Sequence, residues 1–275
     1  MSKSVSLILP YYNRKNYLQV TLDSFEYLYA DRDDFQIVIV DDKSDEQHRV
    51  ENFVTKYNEL NIKVIRIENK KGINPCYPVN VGVRESDGDV ILLSSPEIFH
   101  TCNIFDISNS FSDITDNNYL QFSVFCTTES SINDSLLKPD MELKHKYDLI
   151  NTIKYTFYTY LGCNGVSFNN NMGSWYTHSE IKNDCFNFLS ACTRKTYYEL
   201  GGFNEIFVNG TGYDDTDFRD RVLEYVNSDV VWYDDFVAIH IDHPSVSNDN
   251  NTNLSLYNNT RDQKYGKNDD WGRLC

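Results

Sequence analysis

The sequence predicts an α/β fold built on a doubly wound, Rossmann-like, mostly parallel central sheet flanked by helices. Short apolar runs of strand length recur between Val5 and Leu93, and the segments between them carry helical spacing or turn residues. Several of these runs end in polar or acidic residues, the strand ends where ligands bind in sheets of this kind.

The elements follow in order. Val5 to Pro10 is a continuous apolar run, as expected of a strand buried on both faces. Leu18, Leu22, Phe25 and Leu28 then recur at helical spacing. Phe35 to Val40 forms a second buried strand, closed by Asp41 and Asp42. Val50, Phe53, Val54, Tyr57 and Leu60 mark a further helix, and Ile62 to Ile67 a third strand. After the Gly/Pro-punctuated stretch Lys71 to Pro78, a short helix is expected from Pro78 to Arg84, because proline suits a first helical position. Asp87-Gly88 turns into a fourth strand, Val90 to Leu93.

From Asn103 to Met172 periodicity is poor, with Tyr119 to Phe125 strand-like and Met141 to Tyr160 compatible with a helix. Regularity returns with Phe186 to Thr193, a helix from about Lys195 to Leu200, the turn Gly201-Gly202, and a helix opening near Asp215 and running to Tyr225. Val230 to Tyr233 and Phe236 to Ile241 are strand-like. The expected organisation is one domain over 1–246, with a ligand-binding half at 1–100 and a second half at 101–246. An irregular Asn- and Asp-rich tail is expected over 247–275.

Composition narrows the function classes. The 275 residues are 40% hydrophobic, enough for one sizeable core. The formal charge of −16, with no basic run, argues against nucleic acid and anionic membranes as partners, since both need clustered Lys and Arg. A small anionic ligand would need local help from a cation or a helix terminus. The seven cysteines are scattered with no CxxC pair, so reduced thiols are expected rather than a zinc site or disulfide framework. No apolar run approaches the ~18 residues needed to span a bilayer. The N-terminal apolar stretch is stopped too early by Pro10 for a signal peptide, and a cytoplasmic location is expected.

The motifs carry a more specific message. "SLILPYYNRKNYL", "FQIVIVDDKSDE", "GDVILLSSPEIF" and "LGGFNEIFVNGTGYDDTDFRDRV" occur in that order. Together they resemble the inverting glycosyltransferases of family 2 type, which have the GT-A fold, over about Val5 to His243. The resemblance implies a transferase that moves a sugar from a nucleotide-diphosphate-sugar donor to a hydroxyl of a glycan, lipid-linked or protein acceptor.

It also implies roles. Tyr12 and Asp42 fall where the base is recognised, with Pro10 beside them and Asp41 next in the turn; a ring can pack on a base and a carboxylate can accept from its N–H. Asp41-Asp42-Lys43-Ser44 would equally cap a following helix. Asn80 and Gly82 lie in the stretch that covers the donor phosphates in such enzymes.

A divalent cation, Mn²⁺ or Mg²⁺, usually neutralises the leaving diphosphate in this family, held by an Asp-x-Asp or Asp-Asp after the fourth strand. Here Ser95-Pro96-Glu97 stands in that place, leaving Glu97 as the candidate ligand. A glutamate after proline also suits a helix start. A late histidine completes such sites, and His240 is favoured with His243 in reserve.

Asp215 is the implied general base, which would take the proton of the attacking hydroxyl. Asp214 and Asp217 would bind acceptor hydroxyls or hold the loop, with Arg221 one turn on from Asp217. The three aspartates would also stabilise a helix N-terminus. Trp175 and Tyr176 are candidate stacking surfaces for an acceptor sugar, or core residues.

Rival readings are a non-catalytic nucleotide-sugar or glycan-binding module on the same fold, suggested by the altered metal motif, and a sugar-phosphate nucleotidyltransferase. The latter would need glycines that "PYYNRKNY" lacks. A nicotinamide enzyme is disfavoured because no GxGxxG follows an early strand.

Overall fold

The computed structural model describes residues 3–106, 111–161, 173–184, 187–225, 230–244, 250–261 and 270–274. Strands β1 (Val5–Tyr11), β2 (Phe35–Asp41), β3 (Ile62–Arg66) and β4 (Val90–Ser94) form a parallel block in the order β3-β2-β1-β4. Beyond β4 the pairing becomes mixed. Antiparallel β8 (Leu189–Thr193) joins β4 to β6 (Tyr119–Thr127), β6 runs parallel to β9 (Val230–Ile241), and the short β5 (Ile98–Phe99) closes that edge. β7 (Gly173–Thr177) pairs with β6 off this path.

Alternation along β1 divides the core between the two faces of the sheet. Leu7, Leu9 and Tyr11 pack with Leu18, Leu22 and Phe25 of α1 (Lys15–Tyr29). Ile8 points the other way, into a cluster with α2 (Cys76–Glu85), α5 (Arg194–Leu200) and α6 (Asp214–Tyr225). Two further helices, α3 (Ser130–Leu136) and α4 (Leu143–Leu161), belong to the middle segment.

The expected helix over Val50 to Leu60 is not formed. Short 3₁₀ turns at Glu46–His48, Val50–Asn52 and Val54–Lys56 take its place. The reason lies in bonds where the segment begins: the Asp41 carboxylate accepts from Val50 N at 3.4 Å and the Tyr11 hydroxyl donates to the His48 carbonyl at 2.6 Å. Tyr57 donates to the Gln19 carbonyl at 2.8 Å. Pinned at these points, the backbone gains less from a continuous helix than from its fixed contacts.

Helix α2 starts before Pro78, with Asn74 accepting from Cys76 N at 2.9 Å. The two late strand-like runs form one strand, β9, with a register shift opposite Phe122 and Ser123.

The tail also departs from the irregular segment expected. Residues 250–260 form helix α7 (Asn250–Thr260), and Trp271 is buried against Tyr197 and Tyr198. Residues 247–249, 262–269 and 275 of that expectation lie outside the described residues. Cys76, Cys102, Cys126 and Cys192 are free thiols, while Cys163, Cys185 and Cys275 fall outside the described residues. Among the described residues no helix is long and apolar enough to cross a membrane.

Candidate active site

A cavity of about 680 Å³ opens at the carboxyl ends of the parallel strands, where a ligand is expected in such sheets. Pro10 and Tyr12 line one part of it, Arg14 and His243 another, and Asp214 and Asp215 the side of the second half of the chain.

At the β1–β2 end, Tyr12 is 45% exposed, leaving its ring accessible. Lys70 sits 3.6 Å from the centre of that ring and pairs with Asp42 at 2.5 Å. Burial raises the Asp42 carboxyl above its ordinary range, and Lys70 opposes the shift. Its Oδ1 is buried with no partner among the described residues, an acceptor a ligand N–H would satisfy. The neighbouring Asp41 is used internally. It is fully buried, pairs with Arg66 at 3.1 Å and accepts from Ser44 N, so the donor role expected of it gives way to a loop-holding one.

Asn80 and Gly82 are likewise structural in their surroundings. The Asn80 amide accepts from Tyr197 Oη at 2.9 Å and Phe203 N at 2.8 Å, and donates to the Phe203 carbonyl at 2.8 Å. A Cβ on Gly82 would lie 2.6 Å from Ile8 Cγ2 and 2.9 Å from Val40 Cγ2, so glycine there lets α2 approach the sheet. Neither is left to reach a donor phosphate.

Strand pairing explains how the metal candidates meet. β5 places Ile98 opposite His240 on β9, and Ile241 N donates to the Glu97 carbonyl at 3.0 Å. Glu97 therefore stands beside His240, while β9 ends at Ile241 and the chain returns His243 to within 5.3 Å of the His240 ring. One ligand atom from each of Glu97, His240 and His243 lies within 4.8 Å of the others. One carboxylate and two imidazoles form a donor set suited to a borderline divalent cation.

His240 Nδ1 is 3.4 Å from Cys126 Sγ; with Nδ1–H donated to sulfur, the Nε2 lone pair is available. Burial, with help from His243 and Arg14, lowers its pKa to about 3, which keeps the ring neutral and able to ligate. Both histidines are thus brought together, where the sequence favoured one over the other.

Arg14 was visible in the sequence only as a cation after the first strand. Its Nη1 donates to Glu97 and lies 2.6 Å from His243 Nε2. With Lys70 it supplies two basic side chains at the cavity of a chain whose sequence shows no basic run.

Asp214 and Asp215 open α6 behind two left-handed residues, Gly212 at φ 70° and Tyr213 at φ 65°. A non-glycine residue in that region is strained, a cost that recurs at functional sites. Asp214 is buried, and Asn74 Nδ2 donates to it at 2.9 Å. Burial, and next the charge of Asp215, push its carboxyl well above the usual range, against the Asn74 bond. Asp215 is only half-buried and is raised by burial, opposed by its bond from Thr216 N at 2.7 Å.

Asp217 faces away. It is buried and pairs with Arg221 at 2.9 Å, and Arg221 also donates to the Leu200 carbonyl at 2.8 Å, so both brace α6 against α5.

Trp175 is core: it is buried and its ring packs on Phe125 at 5.4 Å. Tyr176, alternating to the other face, packs on Phe188 at 4.6 Å and His240 at 4.9 Å. Phe188, which the sequence did not single out, is the aromatic residue of this group that lines the cavity. Asn74 was likewise missed as an Asp214 partner, although it lies in the Gly/Pro-punctuated stretch before α2.

The fold and site define an α/β protein with a ligand cavity at its strand ends, flanked by a carboxylate–histidine cluster and an acidic helix start. Residues 6–94 match the model for Glycosyl transferase family 2. The chain is 35% identical over 88 residues to the poly(ribitol-phosphate) beta-N-acetylglucosaminyltransferase TarS of Staphylococcus aureus strain Mu50, which is 32% of this chain and 15% of TarS. It is 28% identical over 108 residues to TarP of S. aureus strain N315, 39% of this chain and 32% of TarP. These matches span well under two thirds of either relative.

Among solved structures, S. aureus TarS 1-349 in complex with UDP-GlcNAc superposes with a TM-score of 0.58 at 17% identity, covering 88% of this chain and 59% of that one. GalNAc-T7 with UDP, GalNAc and Mn²⁺ gives 0.60 at 13% identity, covering 93% and 48%. The chain has a GT-A fold, and its N-terminal third matches the family 2 model.

Proposed function

We propose that the chain is an inverting glycosyltransferase that uses a nucleotide-diphosphate-sugar donor, with Asp215 as general base. The observation that carries this reading is that Asp215 and Tyr12 line the same cavity, with His243 of the carboxylate–histidine cluster on its wall. In the reaction, an acceptor hydroxyl oxygen bonds to the anomeric carbon as the bond from that carbon to the diphosphate oxygen breaks. The electron pair leaves with the diphosphate, and Asp215 takes the hydroxyl proton.

Tyr12 packs on the base and Asp42 accepts from its N–H, while Lys70 holds that carboxylate in place. Asp214 is held by Asn74 and keeps the catalytic helix start in register with the loop before α2. Arg14 and Lys70 set positive charge beside the phosphates. A divalent cation held by Glu97, His240 and His243 would supply further neutralisation of the leaving diphosphate.

A UDP-linked N-acetylhexosamine is the first donor to test, since TarS is named as an N-acetylglucosaminyltransferase and its complex with UDP-GlcNAc shares the fold. The acceptor is a hydroxyl on a glycan, lipid-linked or protein carrier.

The test is release of UDP from a panel of UDP-sugars with Mn²⁺ or Mg²⁺, for wild type and Asp215→Asn. The variant is expected to lose turnover by about 10²–10⁴-fold, the usual contribution of a general base, with donor affinity kept. Donor binding with no hydrolysis or transfer by wild type would instead identify a non-catalytic binding module.

A further inference from the structure

We infer that Arg14 and a divalent cation compete for Glu97 and His243, so that metal loading releases the Arg14 guanidinium toward the donor phosphates. This rests on the reading of Glu97, His240 and His243 as metal ligands and adds a regulatory partner to that site.

Arg14 precedes α1 and makes no side-chain capping bond there. Its Nη1 donates to Glu97 Oε1 and lies 2.6 Å from His243 Nε2. Glu97 and His243 are two of the three residues whose ligand atoms converge within 4.8 Å. Glu97 is only 2% exposed, and a carboxylate buried that deeply needs a positive partner.

Arginine stays protonated at any working pH, so it cannot yield its place by losing a proton. For a cation to take the same carboxylate oxygen and imidazole lone pair, the guanidinium must move away. Like charge drives it in the same direction. Arg14 is 29% exposed and lines the cavity, so it has room to turn without unfolding α1. Its planar fork matches phosphate oxygens, and a diphosphate in the cavity gives the displaced charge a new partner. Metal and nucleotide are then thermodynamically linked, each raising affinity for the other by the same factor.

The experiment titrates the 275-residue wild-type chain, R14Q, R14K and E97Q with Mn²⁺ alone, reading free Mn²⁺ by electron paramagnetic resonance, and repeats each titration with saturating UDP. E97Q tests the ligand reading: it is expected to lose Mn²⁺ affinity, and an E97Q affinity equal to wild type overturns Glu97 as a ligand and this inference with it. R14Q tests the competition. Without UDP it is expected to bind Mn²⁺ about tenfold more tightly than wild type, because no conformational competition remains. UDP is expected to tighten Mn²⁺ binding more in wild type than in R14Q. Equal Mn²⁺ affinities of wild type and R14Q, with E97Q impaired, overturn the competition while leaving the metal site standing. Should R14Q fail to fold, R14K carries the comparison: lysine lacks the fork and is expected to hold the two ligands less firmly, so equal affinities again overturn the proposal.

Discussion

Asn253 donates its side-chain amide to the Gly212 carbonyl at 2.8 Å, joining α7 to the turn that presents Asp215. The same nitrogen donates to the Phe207 carbonyl at 3.0 Å, and Asn253 is fully buried. A Cβ on Gly210 would fall 2.2 Å from Asn253 Oδ1, so the glycine and the asparagine fit only together. Helix α7 thus holds the Gly210-Thr211-Gly212 loop from behind. Asn253→Ala takes this donor from the Gly212 carbonyl, while the Phe207 carbonyl keeps Gly210 N at 3.1 Å, and a stability loss of about 1–3 kcal/mol is expected in denaturant unfolding. Under the proposed function, kcat falls further than KM rises, because the base is displaced while the nucleotide contacts are kept.

Asp214 offers a pH test. Its folded pKa is raised above the unfolded value by burial and the Asp215 charge. A raised carboxyl pKa stabilises the fold fully below the unfolded pKa, and that contribution is lost as pH rises through the folded one. Asp214→Asn keeps an acceptor for Asn74 and removes the buried charge. Thermal melts are expected to coincide with wild type near pH 4, where both are neutral. At pH 8 the variant is expected to be more stable by about 1–3 kcal/mol, since a tenfold change in proton affinity is worth ~1.4 kcal/mol. A variant less stable than wild type at pH 8 contradicts the assignment.

Gly82→Ala separates packing from donor contact. The added methyl meets Ile8 and Val40 in the sheet, and overpacking of this kind costs about 1–3 kcal/mol. Unfolding experiments are expected to show that loss, with UDP affinity measured by calorimetry within about twofold of wild type, a difference under ~0.5 kcal/mol.

Tyr12→Ala is expected to do the reverse. The ring is 45% exposed, so its removal leaves the melting midpoint nearly unchanged. UDP affinity is expected to drop by about 5–10-fold, the worth of one aromatic contact of ~1–1.5 kcal/mol. Unaltered UDP binding counts against the base site at the β1–β2 end.

How much of this was legible in the sequence follows from where the determining interactions lie. β1, β2 and β4 were readable because strands buried on both faces leave continuous apolar runs, and the Asp-rich start of α6 because local charge and helix geometry agree. The segment after Asp41 misled because its apolar residues recur at helical spacing, whereas its backbone is fixed by Tyr11, Asp41 and Tyr57. Asn80 looked available to a donor phosphate, yet its partners Tyr197 and Phe203 lie more than a hundred residues away in sequence. Arg14 is the clearest case: its partners are 83 and 229 residues distant, and no local pattern encodes such a pairing. In the Asn-rich C-terminal region, Asn253 is a single buried residue and Trp271 is buried with Gly272 alone beside it, which leaves no periodicity to detect.

The pairing of β5 with β9 has a consequence for biogenesis. Glu97 is synthesised well before its imidazole neighbours at 240 and 243, which follow it by more than a hundred residues. A nascent polypeptide therefore cannot assemble the cluster until β9 has been made. Until that strand docks, Arg14, already translated, is the cation at hand to offset the Glu97 charge.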